Sequence, residues 1–359
     1  MNYRTTKLLA EKSLTTTGTH TIDLNIKDII SRIIIAWRVS MSGYGMDSYA
    51  YRDITKIELV DGSDVLHSMN GGENQALCIY DRKCPTMNHG QYVNAASAYT
   101  TFGIDFGRFL HDPELALDPS KFRNLQLKIT YDVDVMDTGN TTGYLEVLAD
   151  CFDEKMVSPV GFLMAKEHYS WSLSAAGAYE YIDLPTDHPI RKMLIRGYKV
   201  SREPWYQVIE ARLDEDNEKR IPFDWDLEDY HRIMKGVWTP VEEPFYGYAD
   251  TSGTYHYYLT PTDYFAVLIG HILGGTVQGA PTGVTPGGDV TLNAGTAGNF
   301  HGVARGYLPN HCFEFPFGDP LDMADWYDVT RVGSLRLRLK SGTGTSGDVG
   351  VVLQQLRRY

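Results

Sequence analysis

Regular alternation of apolar and polar residues is the clearest pattern along this chain. In residues 122–136, FRNLQLKITYDVDVM, leucine and isoleucine alternate with glutamine, lysine and threonine. In residues 334–342, SLRLRLKSG, three leucines alternate with two arginines and a lysine. Successive side chains of a strand point to opposite faces, so this two-residue period predicts strands with one buried face. Further strands are predicted at 21–40, 143–152, 206–223 and 350–356, and residues 54–69 are predicted to form two short strands joined by a hairpin turn at Asp61-Gly62.

The predicted strands occur twice in the same order. The tripeptide Ile-Asp-Leu at 22–24 returns at 182–184, an offset of 160 positions (182 − 22), and an aliphatic run follows each copy at the same distance. The segments 54–69 and 206–223 come next, and the two alternating segments follow them. A constant strand order with connections of varying length indicates two tandem copies of one β domain.

These patterns predict an all-β fold of two tandem antiparallel eight-stranded jelly rolls, with a few short helices in the connections. The predicted division is an N-terminal arm at 1–14, a first jelly roll at 15–160 and a second at 161–359. Residues 274–302 are rich in glycine, threonine and proline. They are predicted to form a long surface loop between strands of the second roll.

Signals for helices are sparse. Residues 224–236, DWDLEDYHRIMKG, place apolar side chains at helical spacing before a glycine and predict a helix. Residues 158–168 are interpreted as a short helix that joins the two halves. Asp112-Pro113 and Asp319-Pro320 have the order of an N-cap and a first helical residue, which predicts short helical turns there.

Composition and charge exclude several classes of function. The chain has 359 residues, 43% of them hydrophobic, with a net charge of −13 and a pI of about 5.3. That charge disfavours a nucleic-acid-binding protein, which needs a basic surface. The four cysteines form no CxxC pair and indicate free thiols. The first residues lack the apolar core of a signal peptide, and the apolar stretch 264–275 is too short to cross a bilayer, so folding in a cytoplasm is expected.

The sequence motifs predict neither catalysis nor a cofactor. GTGTSG at 342–347 joins two predicted strands, whereas a dinucleotide site needs this glycine pattern between a strand and a helix. DEDNEK at 214–219 has lysine where a calcium loop of the EF-hand type needs glycine. The eleven histidines include no His-x-His pair, and the common hydrolase and phosphate-loop motifs are missing. We therefore predict no catalytic, cofactor-binding or metal-binding residue, and a protein that is not an enzyme.

Aromatic residues are dense in the connecting segments of the second half. Because tyrosine and tryptophan are enriched in subunit interfaces, the candidate interface residues are Trp205, Tyr206, Trp238, Phe245 and Tyr246. Glu242 and Glu243 lie in the same stretch, which leaves open a site that binds or cleaves a carbohydrate. Arg4, Lys7 and Lys12 make the N-terminal segment mildly basic, as in an arm that touches a negative surface.

The duplicated segments resemble those of a known family. TIDLNIKDIISRIII, YIDLPTDHPIRKMLI, ITKIELVDGSDVLHSMNGGE, FRNLQLKITYD and SLRLRLKSG resemble double jelly-roll major capsid proteins, of the lineage of adenovirus hexon and the tailless, membrane-containing phages. The resemblance covers about residues 15–359. It implies two jelly rolls side by side and a homotrimer that forms a pseudo-hexagonal capsomer of an icosahedral virion. It also implies that Arg4, Lys7 and Lys12 face inward and that the 274–302 loop lies outside or between subunits.

The resemblance also implies the partners. The chain is expected to bind two copies of itself, then neighbouring capsomers and penton or other minor capsid proteins. An underlying membrane is compatible with the family, and no specific nucleic acid is expected. Two other classes stay open: an enzyme on two jelly rolls, such as a glycan-amidase-like or bicupin protein, and a carbohydrate-binding module.

Overall fold

The computed structural model describes residues 1–84, 87–263, 266–271, 281–343 and 346–359. These residues form two antiparallel β-sandwiches side by side, which confirms the predicted all-β fold of two jelly rolls. Neither helix in this part of the chain is long and apolar enough to cross a membrane.

The first roll pairs two four-stranded sheets face to face. Its elements are β1 (Tyr3–Thr15), β2 (Thr17–Asp23), β3 (Ile30–Ser40), β4 (Ile54–Asp61), β5 (Asp64–Met69), α1 (Gly71–Arg82), β6 (Asn88–Tyr92), β7 (Ser97–Asp105), β8 (Leu125–Asp132) and β9 (Thr142–Phe152). The sheets have the strand orders β1-β9-β3-β7 and β2-β8-β4-β5. Sequence neighbours such as β2 and β3 therefore lie in opposite sheets, as a jelly roll requires.

The second roll repeats this order. Its elements are β10 (Gly161–Ser172), β11 (Tyr179–Leu184), β12 (Ile190–Tyr198), β13 (Val208–Glu215), β14 (Arg220–Asp226), α2 (Leu227–Met234), then β15 (Val241–Ala249), β16 (Gly253–Tyr258), β17 (Ala266–His271), β18 (Pro281–Thr285), β19 (Asp289–Ala294) and β20 (Gly298–Gly306), then β21 (Cys312–Pro316), β22 (Leu335–Ser341) and β23 (Asp348–Arg358). The sheets of the roll are β10-β23-β12-β21 and β11-β22-β13-β14.

Strands β15 to β20 form an insertion between α2 and β21. Three of them continue a sheet of the first roll: β6 pairs with β7, β15 pairs in parallel with β6, β20 pairs with β15, and β17 pairs with β20. The other three form a small sheet of order β16-β19-β18. This sheet lies at one end of the rolls, where the backbone of Met46 donates a 2.9 Å hydrogen bond to His256. The chain termini lie at the opposite end.

Alternation along the strands fills both cores. In β3, Ile33, Ile35 and Trp37 point inward and are almost fully buried, while the residues between them are partly exposed. The Trp37 indole donates a 3.2 Å hydrogen bond to Asp53, so its one polar atom is satisfied inside the core. The leucines of β22, whose alternation predicted a strand, lie in the core of the second roll.

The offset of 160 residues is a structural repeat. Thr5 lies opposite Asp150 in the first roll, as Ala165 (165 − 5 = 160) lies opposite Gln354 in the second. Across the next pair of strands, Arg32 also faces Asp150 and Lys192 also faces Gln354. Strands β1 and β3 therefore correspond position by position to β10 and β12.

Predicted helices agree with the structure only in part. The helix predicted at 224–236 is confirmed as α2, whose N-cap Asp226 accepts hydrogen bonds from the backbone N–H groups of Glu228 and Asp229. The helix predicted at 158–168 is wrong, because β10 occupies this segment with its first five residues buried. A short apolar run has the same composition in a buried strand as in a buried helix.

Two other local predictions are wrong. Asp112-Pro113 and Asp319-Pro320 lie in irregular turns. The short 3-10 turns start six and nine residues after these prolines (119 − 113 and 329 − 320), at Pro119–Lys121 and Val329–Arg331, after the caps Asp118 and Asp328.

The predicted arm and loop also differ from the structure. Most of the arm at 1–14 belongs to β1, which pairs with β9 along its length. Within the 274–302 loop, residues 274–280 lie outside the described residues, but β19 and much of β20 belong to sheets. Val290, Leu292 and Phe300 are fully buried against the first roll, so this part is core structure despite its glycine content.

Candidate assembly surfaces

The two rolls meet at a joint built by β5, α1 and β10. β5 of the first roll pairs in parallel with β10 of the second, with His67 opposite Ala165 and Ser68 opposite Lys166. This pairing makes one sheet continuous across both rolls. Helix α1 lies over the junction and contacts β12 and β21.

Apolar side chains seal the joint. Met69, the last residue of β5, and Leu77 of α1 pack against Ala165, Leu194 and Val352 of the second roll, and all five are buried. Each large apolar side chain buried in this way contributes about 1.5–3 kcal/mol. The joint is therefore a continuous packed contact.

An ion cluster fixes α1 to the second roll, at the edge of a cavity of about 470 Å³ between the rolls. Asp81 accepts hydrogen bonds of 2.7 Å from both Arg191 and Lys192, and Lys192 also pairs with Glu314. Burial alone would raise the pKa of Asp81, but the two cations lower it to about 2. These charges are paired with one another, which is typical of an ion cluster that stabilises the contact between two parts of a fold. In the described part of the chain, no group of three or more His, Cys, Asp or Glu side chains could hold a metal ion.

A carboxylic acid is also buried at the joint. Glu73 and Asn70 form the capping box of α1, and Glu73 faces Glu167 of β10 and Arg196 of β12. Burial and the neighbouring Glu167 raise the pKa of Glu73 to about 8, against the opposing effect of Arg196. Glu73 is therefore mostly protonated in the folded protein at neutral pH.

The Glu73→Gln variant is expected to lose less stability at high pH than the native chain. The folded pKa of about 8 exceeds the ordinary value of 4.5, so above pH 4.5 the unfolded chain releases a proton that the folded chain keeps. The native protein is thus destabilised as pH rises from 4.5 to 8, by up to about 1.4 kcal/mol per pH unit. Urea unfolding of both proteins from pH 4.5 to 8.5 tests this, and parallel curves would contradict it.

The first roll carries a second copy of the face that receives α1. Ile34 and Leu148 pair across β3 and β9 as Leu194 and Val352 pair across β12 and β23. Ile34 and Leu148 are only half-buried. Beside them runs β1, which pairs with β9 on one side and with none of the described strands on the other. We call Ile34, Leu148 and the free edge of β1 the acceptor face.

The second roll carries a second copy of the part formed by β5 and α1. Trp225 sits next to the helix N-cap Asp226, as Met69 sits next to the N-cap Asn70. Strand β14 pairs with β13 on one side, and its other side is unpaired within the described ranges. An unpaired strand edge is a site at which another chain can add.

Helix α2 places an apolar side chain at the position of Leu77. Ile233 follows the N-cap Asp226 by seven residues (233 − 226), as Leu77 follows Asn70 (77 − 70). Leu77 is buried by the second roll, whereas Ile233 is 57% and Trp225 36% exposed. We call Trp225, Ile233 and the free edge of β14 the donor edge.

Next to the donor edge lies a groove of about 410 Å³ between β14 and β21. Phe223 and Phe315 stack with their ring centroids 5.1 Å apart, and Phe317 and Tyr327 stack at the same distance. These four rings define the aromatic groove. Asp325 also lines it and is exposed.

Three of the five predicted interface residues are core residues of the single chain. Trp205 stacks on His231, Trp238 packs against Tyr80, and Phe245 packs against Tyr257, and all three predicted residues are buried. Aromatic density is also typical of a core, so packing within the single chain accounts for these three residues, and their place in a subunit interface stays a prediction. Tyr206 is 44% exposed and Tyr246 is half-buried, so these two stay predictions.

The predicted basic residues lie along β1. Arg4 forms an ion pair with Asp28, and its Nε lies 3.4 Å from Oδ1 of Asp153. The Nζ of Lys7 lies 2.5 Å from Oε1 of Glu146. Lys12 is eight positions beyond Arg4, which is about 26 Å along a strand. The three side chains therefore belong to a folded strand and do not cluster at one end of the molecule.

Glu242 and Glu243 do not form a carbohydrate site. They are neighbours in β15 and point to opposite faces. Glu242 is exposed beside Arg305, whereas Glu243 is fully buried and accepts a 2.6 Å hydrogen bond from the backbone of Thr260. Burial raises the pKa of Glu243 to about 7. The carbohydrate-enzyme alternative has no support from this pair.

Comparison with known proteins identifies the fold. Neither a protein-family model nor a curated protein matches the sequence. Among solved structures, VP54 of PBCV-1 superposes with a TM-score of 0.58 at 11% identity, covering 99% of this chain and 94% of VP54. The STIV MCP gives 0.58 at 12% identity, covering 99% and 96%. The major capsid protein P2 from bacteriophage PM2 gives 0.57 at 10%, covering 99% and 98%. The match spans both rolls, so the predicted double jelly-roll fold is confirmed.

Proposed function

We propose that this chain is a major capsid protein that forms homotrimeric capsomers, pseudo-hexagonal in outline, in the shell of an icosahedral virus. The observation that carries the proposal concerns the internal joint. Each of its two sides has a second copy elsewhere in the chain, and these second copies do not pack on each other. The donor edge repeats β5 and α1, and the acceptor face repeats the surface on which they pack. The fold shared with the major capsid protein P2 supports the same function.

The order of the rolls permits closure into a ring, and the proposed pseudo-hexagonal outline of six rolls sets the number of copies at three. Inside the chain, the first roll offers its β5 and α1 to the second. If β14 and α2 of the second roll pack on the first roll of the next copy, each roll contacts the following roll in the same direction around a ring. Such head-to-tail contacts close into a ring when the rotation permits it. A ring of six rolls contains three chains.

The orientation in the shell is proposed from the resemblance, which implies that the basic N-terminal residues face inward. The small sheet β16-β19-β18 would face outside, and the end that holds Tyr3 and Arg358 would face inside. Arg4 would then lie near the inner surface, and Lys12 would not. Minor capsid proteins and a membrane would contact that inner end, and penton proteins the vertices, in a virion whose chains were made in the host cytoplasm.

The mass of the native protein tests the proposal. Light scattering at two concentrations is expected to give three times the chain mass of 40.4 kDa, or a much larger shell. A monomer at both concentrations would contradict the proposal. Binding to a panel of glycans would then be measured, because a carbohydrate-binding module needs no assembly.

A further inference from the structure

The first roll has a counterpart of the aromatic groove, and the chain itself fills it. The start of β10 enters the space between β5 and β7, where the backbone of Leu163 donates a 2.9 Å hydrogen bond to Phe106. The ring of Phe162 contacts Phe106 with centroids 6.2 Å apart. Phe162 and Met164 are buried in the core of the first roll, although they belong to a strand of the second.

The aromatic groove occupies the same position in the second roll. Phe315 pairs with Met193 in β12 as Ile104 pairs with Ile33 in β3, so Phe317 holds the position of Phe106. No described residue of the chain enters this groove as β10 enters its counterpart. A groove of this size, lined by aromatic rings and charged side chains at the open edge of a sandwich, is typical of a binding surface.

We propose that the groove holds the first residues of β1, Tyr3–Thr6, of a second copy of this chain. This inference rests on the proposed function, since it requires the internal joint to be repeated between copies. Thr5 has the register of Ala165, so Tyr3 and Arg4 hold the positions of Leu163 and Met164. Strand β1 would add to the free edge of β14 in parallel, as β10 adds to β5.

The register fixes which residues meet. Inside the chain, Lys166 lies opposite Ser68, the residue before Met69. The corresponding residues are Thr6, which directly follows Thr5, and Asp224, which directly precedes Trp225. Thr6 of one copy therefore lies opposite Asp224 of the next.

The chemistry of the groove fits this segment. Arg4 replaces Met164 of the internal contact, and the groove offers a guanidinium group the aromatic faces of Phe315 and Tyr327 where the first roll has Ile104 and Leu117. Arginine stacks favourably on aromatic rings, and Asp325 supplies an exposed carboxylate at the same place. In the single chain Arg4 is about one-third exposed and pairs with Asp28, a contact that it would exchange.

Cross-linking in the full-length chain tests the contact. The double variant Thr6→Cys with Asp224→Cys, treated with a short bis-maleimide, is expected to give covalent species up to three chains. Each single variant controls for the native cysteines, of which three are buried and Cys84 is partly exposed. A second pair, Thr6→Cys with Asp183→Cys, places the second thiol on the exposed outer face of β11 and is expected to give no such ladder.

The native mass, measured on the same samples, separates the two proposals. A trimer by light scattering without the cross-link would overturn the groove contact and leave the capsid proposal standing. A monomer would overturn both. As a second variant, Arg4→Ala is expected to raise the dissociation constant of the trimer about tenfold, while Arg358→Ala at the other terminus leaves it unchanged. Equal dissociation constants for Arg4→Ala and the native chain would also overturn the groove contact.

Discussion

The Ile233→Glu variant is expected to fold normally and to remain monomeric. In the single chain Ile233 is 57% exposed, and exposed substitutions usually change the free energy of unfolding by less than about 0.5 kcal/mol. In the trimer it would take the position of Leu77, packed against Ile34 and Leu148 of the next copy. A carboxylate buried there without a partner raises the dissociation constant by at least about 100-fold.

Light scattering and urea unfolding of the same variant measure the two effects separately. Val200→Glu is the matched control, because Val200 is 38% exposed and belongs to neither the donor edge nor the acceptor face. The reciprocal variant Ile34→Glu is expected to prevent assembly as well. A native mass unchanged by both Ile233→Glu and Ile34→Glu would show that the copies meet elsewhere.

The Asp81→Ala variant is expected to lose about 3–5 kcal/mol of folding free energy, because it leaves Arg191 and Lys192 buried without their shared carboxylate. Because Asp81 belongs to the first roll and both cations belong to the second, we expect the two rolls of this variant to unfold in separate transitions. Urea unfolding followed by tryptophan fluorescence measures it.

A matched control comes from a more exposed ion pair. Asp64→Ala removes the partner of Arg357 near the surface and is expected to cost less than about 1 kcal/mol. The stabilisation by ionised Asp81 is present above its ordinary pKa of 3.8 and is lost as the pH falls towards 2. The difference between the native chain and Asp81→Asn should therefore shrink over that range. A loss below about 1 kcal/mol for Asp81→Ala at neutral pH would contradict the structural role of the cluster.

The sequence predicted the strands well where one face of a strand is buried and the other is not. Residues 334–342 become β22 with three core leucines, and the repeated tripeptides at 22–24 and 182–184 lie at the carboxyl ends of β2 and β11. Alternation of apolar and polar residues follows directly from the burial of one face, so it identifies such strands without knowledge of their contacts.

Helix α1 could not be predicted in this way, because it is enclosed by both rolls. Asn74 and Gln75 are fully buried in it and bond to β7, where Asn74 accepts from the backbone N–H of Gly103 and Gln75 donates to the carbonyl of Thr101. Because the hydrogen bonds of these polar side chains are made to a neighbouring strand, they can be buried, and α1 lacks the apolar stripe by which an ordinary helix is recognised in a sequence.

The sequence did not single out the candidate assembly surfaces, for a related reason. Trp205, Trp238 and Phe245 looked like contact residues, but whether an aromatic ring is exposed depends on what packs over it. A usable signal was present: DLEDYHRI after β14 and NGGENQAL after β5 place Ile233 and Leu77 at equal distances from their caps. Comparison of the two copies would have singled out Ile233 as a joint residue without its partner.

Electron microscopy of the purified native oligomer would show whether the internal joint recurs between copies. We expect a three-fold particle of six β-sandwiches in a ring, with α2 of each copy against β3 and β9 of the next. A dimer, or a trimer in which α2 faces solvent, would contradict it.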